Sequence, residues 1–594
     1  MEIPKDETEF KLYKLRHSCT HVMAQAVQDL FPGTRLCIGP PVEDGFYYDF
    51  EAQKPFTLED LVKIETRMKE IIKGNFLFEQ TTHSKEEALE VFSKRNEKFK
   101  CEMIRELPGD TVTFVQHDTF VDLCRGHHAM RTGNLKHFKL LKVAGAYWRG
   151  DEKREQLQRI YGTAWPTKDE LDTYLIRLEE AKKRDHRELG PRLDLFSIEP
   201  DHIGSGLILW HPKGARIRIQ MEEYLRNKHL ARGYQPVFTP HIGRAELWKT
   251  SGHIDFYREN MFAPMDVEGQ AYYVKPMNCP FHIAIYKSGL RSYRDLPVKL
   301  TELGTVYRYE RSGVLHGLLR VRGFTQDDSH IFCRPDQLQT QITEVLELAK
   351  EILSDFGFKE YDLKLSTRPQ KYVGSPDDWQ KAEAALEAGL KASGLPYEID
   401  PGEGVFYGPK IDLKIKDSIG RAWQCSTIQV DFNLPERFGV TYRDDKGHDV
   451  RPIMVHRAIL GSLERFFGVL VEHYAGAFPV WLAPVQVAVL PISEKLIDYA
   501  NQIHQEINSA GFRVELDNSN QTIGAKIREA TLQKLPYMLV IGEKEKTEGT
   551  VAVRNRVGEN LGTLKLAAFL SKLKEENESR RGCPASVVDK TVRV

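Results

Sequence analysis

The sequence predicts a multidomain α+β protein whose largest part is a mostly antiparallel sheet flanked by helices. A chain of 594 residues is too long for one hydrophobic core, so we expect three or four domains. Residues 200–475 contain many short apolar runs separated by turn signals, a pattern typical of antiparallel strands. From about residue 480 the pattern changes to alternating short strands and helices, which indicates a separate α/β domain.

The composition argues against several classes of protein. Hydrophobic residues make up 41% of the chain and charged residues 28%, which is ordinary for a globular enzyme. No apolar run reaches membrane length, and the polar opening MEIPKDETEF resembles neither a signal peptide nor a transit peptide. Eight scattered cysteines do not form a disulfide pattern, so we expect a cytoplasmic protein. Because the net charge is −1, nucleic acid would have to be bound by local basic patches.

Residues 10–30 are predicted to form the first helix, because apolar residues recur at helical spacing and Phe31-Pro32-Gly33 follows. His17 and His21 fall on the face opposite the apolar one. They are therefore expected to meet solvent, a cleft or a second layer, and a functional site is favoured over an inert polar face.

A second pair with the same spacing, Cys124 and His128, lies in the stretch CRGHH. Together with the two histidines of RHSCTH, this pair could hold a zinc ion. The zinc metalloprotease pattern HExxH uses its Glu as a general base, whereas this chain has Ser18 at that position. Chemistry without a metal is therefore favoured, and a metal site is the alternative.

Helical spacing predicts three more elements in the middle of the chain. Residues 168–190 form a charge-laced helical stretch that we interpret as a connector between domains. A helix is predicted over residues 213–230, and another over residues 456–468, which would carry Gly461 and Arg465.

The C-terminal α/β domain is predicted to follow the proline-bearing entry FPVWLAP. Its strands are the runs VQVAVLPI, FRVEL, YMLVIG and TVAVR. Its helices cover about residues 494–509 and 522–534, and a last helix follows. After Glu575 the sequence is polar and lacks periodicity, which predicts a loosely ordered tail.

Three stretches resemble, in order and type, the signature motifs of class II aminoacyl-tRNA synthetases. They are residues 213–240, residues 307–332 and the run HRAILGSLERFFG. The resemblance implies an enzyme that catalyses attack on the α-phosphate of ATP. Arginine suits that task, because its planar fork binds phosphate oxygens at two points and stays charged.

Four residues of these stretches fit the nucleotide chemistry. Arg308 fits the α-phosphate, and Arg465 fits either the γ-phosphate or the face of the adenine. Phe324 could stack on the adenine ring, while Gly461 would let backbone and nucleotide approach closely. Each residue alone has an ordinary structural explanation, but the three stretches in this order make the functional one specific.

The resemblance narrows to the threonyl-tRNA synthetase family. The matching stretches of the core are KPMNCP, GFTQDDSHIF, FYGPKID, WQCSTIQVDF and VHRAILGS. RHSCTH, CRGHH and AYWRGDEKREQLQRIYGTAW are similar to the family's editing domain. The resemblance runs from about residue 8 to about residue 575, which is nearly the whole chain.

This resemblance implies one zinc ion per chain, bound by Cys279, His330 and His456. Three protein ligands leave a position open for substrate, as catalytic zinc requires. The resemblance also implies ATP with Mg²⁺. The residues implied for catalysis are Arg308, Arg465, Gln326 and Asp328. Those implied to contact threonine or line its pocket are Asp328, Gln429, Met277, Tyr407 and Gln424. Those implied for ATP are Arg308, Glu310, Arg320, Phe324, Gly461 and Arg465.

The implied reaction is the ATP-dependent attachment of L-threonine to tRNA(Thr) through threonyl-adenylate. A zinc ion that takes both the amino group and the hydroxyl would reject valine by about 10⁴-fold or more. Serine lacks only a methyl group, which is worth about 10- to 200-fold, so seryl-tRNA(Thr) must form and be hydrolysed at a second site. The implied editing residues are His17, His21, Cys124, His128 and Asp122, with Lys100 as a weaker candidate.

The chain departs from the family pattern in two places. The usual CRGPH reads CRGHH here, so His127 adds an imidazole without an assigned role. We also expect no ubiquitin-like domain before the editing domain, although members of the family often have one. The predicted domains are an editing domain (1–167), a linker helix (168–190), a class II catalytic domain (191–478), an anticodon-binding domain (479–575) and a flexible tail (576–594).

The resemblance also implies partners. Glu545 and Arg554 resemble the family's anticodon contacts. Class II synthetases are typically dimers built around the first motif, here ending near Pro240, so we expect a homodimer. The alternative function is that of a regulatory or RNA-binding paralogue with an inactive core. The intact ATP and zinc residues argue against it.

Overall fold

The structure is a computed structural model that describes Pro4, residues 6–405 and residues 407–580. The chain divides into an N-terminal unit that ends at Glu179 and a C-terminal unit that begins at Glu180. This division falls within the stretch predicted to connect two domains. Among the described residues, no helix is both long and apolar enough to cross a membrane.

The helix Glu7–Leu30 opens the N-terminal unit and confirms the first predicted helix. Asp6 caps it, because its carboxylate accepts hydrogen bonds from the amides of Thr8 and Glu9. The apolar side of the helix packs into a core shared with the amphipathic helix Leu58–Lys73 and the adjacent sheet. This packing fixes the rotation of the first helix and therefore the direction in which its histidines point.

Two antiparallel sheets complete the N-terminal unit. The five-stranded sheet consists of Arg35–Leu36, Pro41–Val42, Gly45–Glu51, His137–Tyr147 and Gln156–Trp165. The three-stranded sheet consists of Glu79–Ser84, Thr111–His117 and Phe120–Leu123, and the helices Lys85–Lys94 and Lys98–Glu106 accompany it. The stretch CRGHH follows the last of these strands directly.

An eight-stranded sheet dominates the C-terminal unit. In spatial order its strands are Gln235–Pro236, Val298–Tyr307, Gly323–Cys333, Ile453–Ser462, Ala422–Asp431, Lys410–Lys416, Tyr361–Ser366 and Tyr397–Asp400. The two outermost pairings are parallel, and all pairings between them are antiparallel. The predicted sheet of mostly antiparallel strands is therefore confirmed.

Long helices cover one face of this sheet. They are Pro212–Ala231, Leu338–Asp355, Pro376–Ser393 and Leu463–His473. In the helix Leu338–Asp355, apolar residues recur every three or four positions and are at most 5% exposed: Leu338, Ile342, Val345, Leu346 and Ala349. With this face buried against helices, the opposite face of the sheet carries the functional side chains.

The prediction of a single helix over residues 456–468 is wrong. Its first half lies on the strand Ile453–Ser462, and the helix Leu463–His473 begins only after it. The strand lies between two others and is buried at most of its positions, so its nearly continuous apolar run cannot be told from a buried helix by periodicity. Gly461 is on the strand with a φ of +75°, and the Ser462 hydroxyl caps the helix by accepting the Arg465 amide.

The C-terminal α/β domain has a five-stranded sheet. Its strands, in spatial order, are Val514–Leu516, Val487–Pro491, Tyr537–Ile541, Thr550–Asn555 and Asn560–Lys565. Its helices are Ile497–Ser509, Ile523–Leu532, Glu543–Glu548 and Leu566–Ser579. The last helix continues to Ser579, so the predicted start of a loose tail after Glu575 is too early. The rest of that tail, residues 581–594, lies outside the described residues.

Candidate functional sites

A cavity of about 350 Å³ opens on the uncovered face of the eight-stranded sheet. Every residue that the sequence predicts for zinc, threonine and ATP lines it: Met277, Cys279, Arg308, Glu310, Arg320, Phe324, Gln326, Asp328, His330, Tyr407, Gln424, Gln429, His456, Gly461 and Arg465. These residues come from stretches that are far apart in sequence. The structure thus brings the whole predicted set together in one place.

Strand geometry explains how the sheet presents them. Successive side chains of a strand point to opposite faces, so Gln326, Asp328 and His330 share the cavity face of the strand Gly323–Cys333. In the register of the sheet, His330 lies opposite His456 on the neighbouring strand. The pairing of strands, rather than any sequence spacing, therefore assembles these groups.

Cys279, His330 and His456 form a compact donor set at one end of the cavity. One ligand atom from each lies within 4.8 Å of the others, and all three residues are buried. Cys279 is the first residue of the helix Cys279–Lys287. A thiol and two imidazoles at this separation are the ligands that zinc prefers.

The two imidazoles of this set are oriented by partners that the sequence did not reveal. His456 Nε2 lies 2.9 Å from Asp431 Oδ2, and His330 Nδ1 lies 2.8 Å from His282 Nδ1. His330 Nε2 is buried without a hydrogen-bond partner. Metal-binding histidines generally use one nitrogen for such an outer partner and keep the other for the metal. The geometry fits a zinc ion.

Burial and mutual charge shift the pKa values of this cluster in different directions. Burial lowers the pKa of His330 well below its usual value. Burial would also lower the pKa of His456, but the Cys279 sulfur and Asp431 outweigh it and raise that pKa to about 10. Burial raises the pKa of Cys279, an effect opposed by His456. Without a metal the site therefore holds protons, which a zinc ion would displace.

Polar groups beside this donor set remain available to a small ligand. Asp328 accepts a hydrogen bond of 3.0 Å from Asn278, which fixes one carboxylate oxygen. The Tyr407 hydroxyl donates to Gln429 Oε1 over 3.2 Å, and Gln429 Nε2 is buried without a partner. A fixed carboxylate and an unpaired amide donor are suited to an amino acid, whose ammonium and carboxylate need opposite charges or donors.

Three arginines gather in the other half of the cavity. Arg308 lies over the ring of Phe324, with 5.1 Å between the guanidinium carbon and the ring centre. Arg320 is paired with Glu310 at 2.9 Å, and Arg465 Nε donates to the Leu319 carbonyl over 3.1 Å. Three cations and one aromatic ring suit a polyphosphate joined to a base.

A buried carboxylate shapes the backbone at this end of the cavity. Asp327 accepts the backbone amides of Ile459, Leu460 and Gly461 at distances of 2.9 to 3.1 Å. The register between the two strands shifts at Asp327, so these amides have lost their usual strand partners. A Cβ at Gly461 would lie 2.7 Å from the Cys425 carbonyl oxygen, so only glycine fits there.

A second cavity, of about 740 Å³, lies in the N-terminal unit. Four of the residues predicted for editing, His17, His21, Asp122 and Cys124, line it. With His128, both histidines and the cysteine form a cluster whose ligand atoms lie within 4.8 Å of one another. Cys124 Sγ is 3.4 Å from His17 Nε2 and 3.3 Å from His128 Nε2.

The titrating groups of this cluster are neutral near pH 7. Burial lowers the pKa of His17 to about 4 and the pKa of His21 and His128 well below the usual value. Burial likewise raises the pKa of the Cys124 thiol to about 12. Neutral imidazoles can accept a proton, whereas a protonated thiol is a poor nucleophile.

Asp122 belongs to a buried network that includes one residue missed by the sequence prediction. Lys100 Nζ lies 2.6 Å from Asp122 Oδ1, and the Tyr48 hydroxyl donates to Asp122 Oδ2 over 2.6 Å. His21 Nδ1 is 3.9 Å from that same oxygen. Tyr48 lies on the strand Gly45–Glu51, and no motif in the sequence marked it.

The structure shows what Ser18 of RHSCTH and His127 of CRGHH contact. The Ser18 hydroxyl lies 3.3 Å from His128 Nδ1 and accepts the Ala129 amide, so it orients the cluster. His127 has a φ of +66°, a left-handed value that proline cannot adopt, and its ring meets Phe10 instead of the cluster.

The predicted anticodon residues lie in the C-terminal domain, each with a local contact. Glu545 Oε2 accepts the Gly542 amide at the start of a short helix, over 3.0 Å. Arg554 lies on the strand Thr550–Asn555 and donates to the Gly558 carbonyl over 3.1 Å. Both side chains are half-buried, so each still presents polar atoms to solvent.

Three protein-family models match parts of the chain. Residues 261–474 match the tRNA synthetase class II core domain (G, H, P, S and T). Residues 486–576 match an anticodon binding domain, and residues 112–161 match the threonyl and alanyl tRNA synthetase second additional domain.

Similar proteins and solved structures indicate the same family as these domain matches. Threonine–tRNA ligase of Nitrosococcus oceani is 55% identical over 560 residues, covering 94% of this chain and 87% of the relative. The same enzyme of Geobacter sp. is 52% identical over 579 residues, covering 98% and 91%. The RNA binding domain of threonyl-tRNA synthetase from Cryptosporidium parvum is 43% identical with a TM-score of 0.63, covering 66% of this chain and 98% of that structure. A putative threonyl-tRNA synthetase of Aeropyrum pernix is 33% identical with a TM-score of 0.59, covering 67% and 97%. The chain therefore belongs to the threonine–tRNA ligase family.

Proposed function

We propose that the protein attaches L-threonine to tRNA(Thr) through threonyl-adenylate and hydrolyses seryl-tRNA(Thr) in a separate site. The observation that carries the proposal is the joint position of the Cys–His–His donor set and three arginines in one cavity. One half of that cavity suits an amino acid and the other suits a nucleotide. An inactive paralogue would not need both halves intact.

The experiment that tests this function is ATP–pyrophosphate exchange with each of the twenty amino acids. Threonine should support the fastest exchange, and serine should follow, because the missing methyl group is worth only about 10- to 200-fold. Valine should fall at least about 10⁴-fold below threonine, since it lacks the hydroxyl. Exchange driven best by another amino acid, or by none, would contradict the proposed function.

In the nucleotide half of the cavity, we assign to arginine the neutralisation of the negative charge on the phosphates. Arg308 would bind the α-phosphate, where negative charge grows as the threonine carboxylate attacks. Arg320 and Arg465 would hold the rest of a bent triphosphate, whose charge Mg²⁺ shares. Phe324 would stack against the adenine, with Arg308 already seated over its ring. The contact with the Leu319 carbonyl holds the Arg465 side chain in the cavity.

In the amino acid half, Cys279, His330 and His456 would hold one zinc ion. When bound, zinc supplies a Lewis-acid site for the amino group and hydroxyl of threonine. Asp328 would accept from the ammonium group, and Gln429 would donate its unpaired amide hydrogen to the substrate. Met277, Tyr407 and Gln424 would close the pocket around the side chain. A ligand without the hydroxyl would leave buried polar groups unpaired, which is costly.

At the editing site, we assign proton transfer to imidazole. His17, His21 and His128 are neutral near pH 7, so one of them can take a proton from a water molecule that attacks the seryl ester. Cys124, held as a thiol, would donate or accept a weak hydrogen bond rather than attack. Asp122 would hold Lys100 and Tyr48 in place beside the cluster instead of acting as a base, since these two groups already occupy its oxygens.

A metal site is the alternative for this cluster. Its four ligand atoms lie within 4.8 Å of one another, which is also compatible with a metal ion. The metal-free mechanism is favoured because Ser18 occupies the position at which the zinc metalloprotease pattern HExxH has its Glu base. Metal content separates the two mechanisms.

Arg554→Ala should raise the KM for tRNA while threonine-dependent exchange stays unchanged. We propose that Glu545 and Arg554 read anticodon bases, which single-stranded RNA presents through their hydrogen-bonding edges. A lost base contact is worth about 1–3 kcal/mol, so the KM should rise about 5- to 100-fold. Aminoacylation at varied tRNA concentrations, beside exchange without tRNA, measures both effects. If exchange falls as much as aminoacylation does, Arg554 supports the fold through its contact with Gly558 instead.

We further propose a homodimer built around the first motif and a cytoplasmic location. Phe238, just before the end of that motif, is 89% exposed, and Leu230 on the preceding helix is 46% exposed. Exposed apolar side chains such as these suit a subunit interface. The seven cysteines described by the structure are all unpaired, which suits a reducing compartment.

A further inference from the structure

The loop between the strands Val298–Tyr307 and Gly323–Cys333 forms one wall of the nucleotide cavity. Leu319 and Arg320 line the cavity directly. Leu318, one residue earlier, points the other way and is completely buried. The position of this short segment therefore determines where the side chains of Leu319 and Arg320 enter the cavity.

A buried imidazole contacts the loop from behind. His186 is on the helix His186–Arg192 and has no exposed surface. Its Nε2 accepts the backbone amide of Leu318 over 3.0 Å, and its Nδ1 lies 2.6 Å from Glu472 Oε1. A backbone amide can only donate, so Nε2 must lack a hydrogen and Nδ1 must carry one. The two contacts thus fix both the tautomer and the orientation of the ring.

Both neighbours of this ring are connected to residues that line the nucleotide cavity. Glu472 is on the helix Leu463–His473, which also carries Arg465. Arg465 in turn donates to the Leu319 carbonyl. The loop is therefore bound to the same helix twice, through His186 on its buried side and through Arg465 on its cavity side.

The loop packs closely against both the ring and the helix. A Cβ at Gly317, whose φ is +50°, would lie 2.1 Å from His186 Nε2. A Cβ at Gly468 would lie 3.2 Å from the Cβ of Leu318 and 3.5 Å from a ring carbon of His186. Glycine at these two places lets the loop, the ring and the helix touch.

A metal site does not explain this arrangement. His186, Asp185 and Glu472 offer ligand atoms within 4.8 Å of one another, but both ring nitrogens already have partners. The other oxygen of Glu472 is 2.5 Å from Arg421, which balances its charge. The cluster is complete without a cation.

We propose that His186 is a positioning residue for ATP, which holds the Gly317–Arg320 segment against the helix of Arg465. The inference rests on the proposed nucleotide site. A pair of substitutions separates the two contacts of the ring. His186→Gln can place an acceptor near the position of Nε2 and keep the bond to Leu318. His186→Asn can place a donor near Nδ1 and keep the bond to Glu472, but it leaves the buried Leu318 amide without a partner.

The test measures threonine-dependent exchange and the melting temperature of both variants, with His211→Asn as a matched control. His211 also bonds a carboxylate and a second group, Asp194 and Ser197, but it does not contact the loop. His186→Asn should raise the KM for ATP about tenfold with an unchanged KM for threonine, while His186→Gln and the control stay within about twofold. Gly317→Ala should reproduce the effect by displacing the same segment, so the inference can be tested even if His186→Asn is too unstable to purify.

Equal KM values for ATP in His186→Asn, His186→Gln and the wild type would overturn the inference and leave the proposed function intact. Equal increases in the two variants would also overturn it, because His186 would then act through packing alone. Absence of threonine-dependent exchange in the wild type would overturn the proposed function and this inference with it.

Discussion

Replacing Arg308 or Arg465 by alanine should abolish threonine-dependent ATP–pyrophosphate exchange. Both guanidinium groups lie in the cavity that we assign to ATP, and neither is needed to fill a core. Removing one preorganised group that stabilises transition-state charge typically costs about 10²- to 10³-fold. Arginine contacts to a transferring phosphoryl group can be worth about 10³- to 10⁵-fold. We therefore expect exchange to fall by at least about 10²-fold in each variant.

Arg443→Ala is the matched control for these two substitutions. Arg443 lies in the same unit, is 60% exposed and pairs with Asp449 at the surface. It should exchange pyrophosphate like the wild type. The melting temperatures of all three variants should remain close to the wild-type value. Normal exchange in Arg308→Ala or Arg465→Ala would remove that residue from the nucleotide site.

Replacing His17, His21, Cys124 or His128 should produce an enzyme that accumulates seryl-tRNA(Thr). These residues form the cluster of the N-terminal unit, far along the chain from the groups that we assign to synthesis. A general base contributes about 10²- to 10⁴-fold to the rate. In the variant that lacks the histidine acting as this base, deacylation of seryl-tRNA(Thr) should therefore fall by at least about 10²-fold. Threonine charging should be unchanged.

His83→Ala controls for loss of an imidazole from the same unit. His83 lies on the edge strand of the three-stranded sheet, contacts Thr81 and Glu87, and is not part of the cluster. It should deacylate seryl-tRNA(Thr) normally. Loss of threonine charging in the cluster variants, together with loss of deacylation, would contradict the separation of the two sites.

The sequence predicted the fold better where a pattern was local. The first helix, the helix near residues 213–230 and the C-terminal strands were recognisable because periodicity and turn residues are properties of short segments. The strand Ile453–Ser462 was mistaken for helix, because a strand buried on both faces has no alternation. The tertiary neighbours that bury it are not visible in its own residues.

The residues of the candidate sites were also hard to predict from local patterns. Cys279, His330 and His456 could be named only through resemblance to a family, because sheet register brings them together and no short spacing marks them. Their outer partners His282 and Asp431 were missed for the same reason, although Asp431 lies within a stretch that the resemblance covers. Tyr48 and His186 act through contacts between distant segments, so nothing in the sequence near them indicates a role.

The zinc content of purified protein tests the central claim that synthesis uses a metal site and editing does not. Elemental analysis of the wild type, Cys279→Ser and His17→Ala should give about one, zero and one zinc per chain, since only the Cys279, His330 and His456 set binds the ion. Cys279→Ser should also lose threonine activation, whereas His17→Ala should lose only the hydrolysis of seryl-tRNA(Thr). Two zinc ions per wild-type chain, falling to one in His17→Ala, would contradict the account, because the editing cluster would then be a metal site.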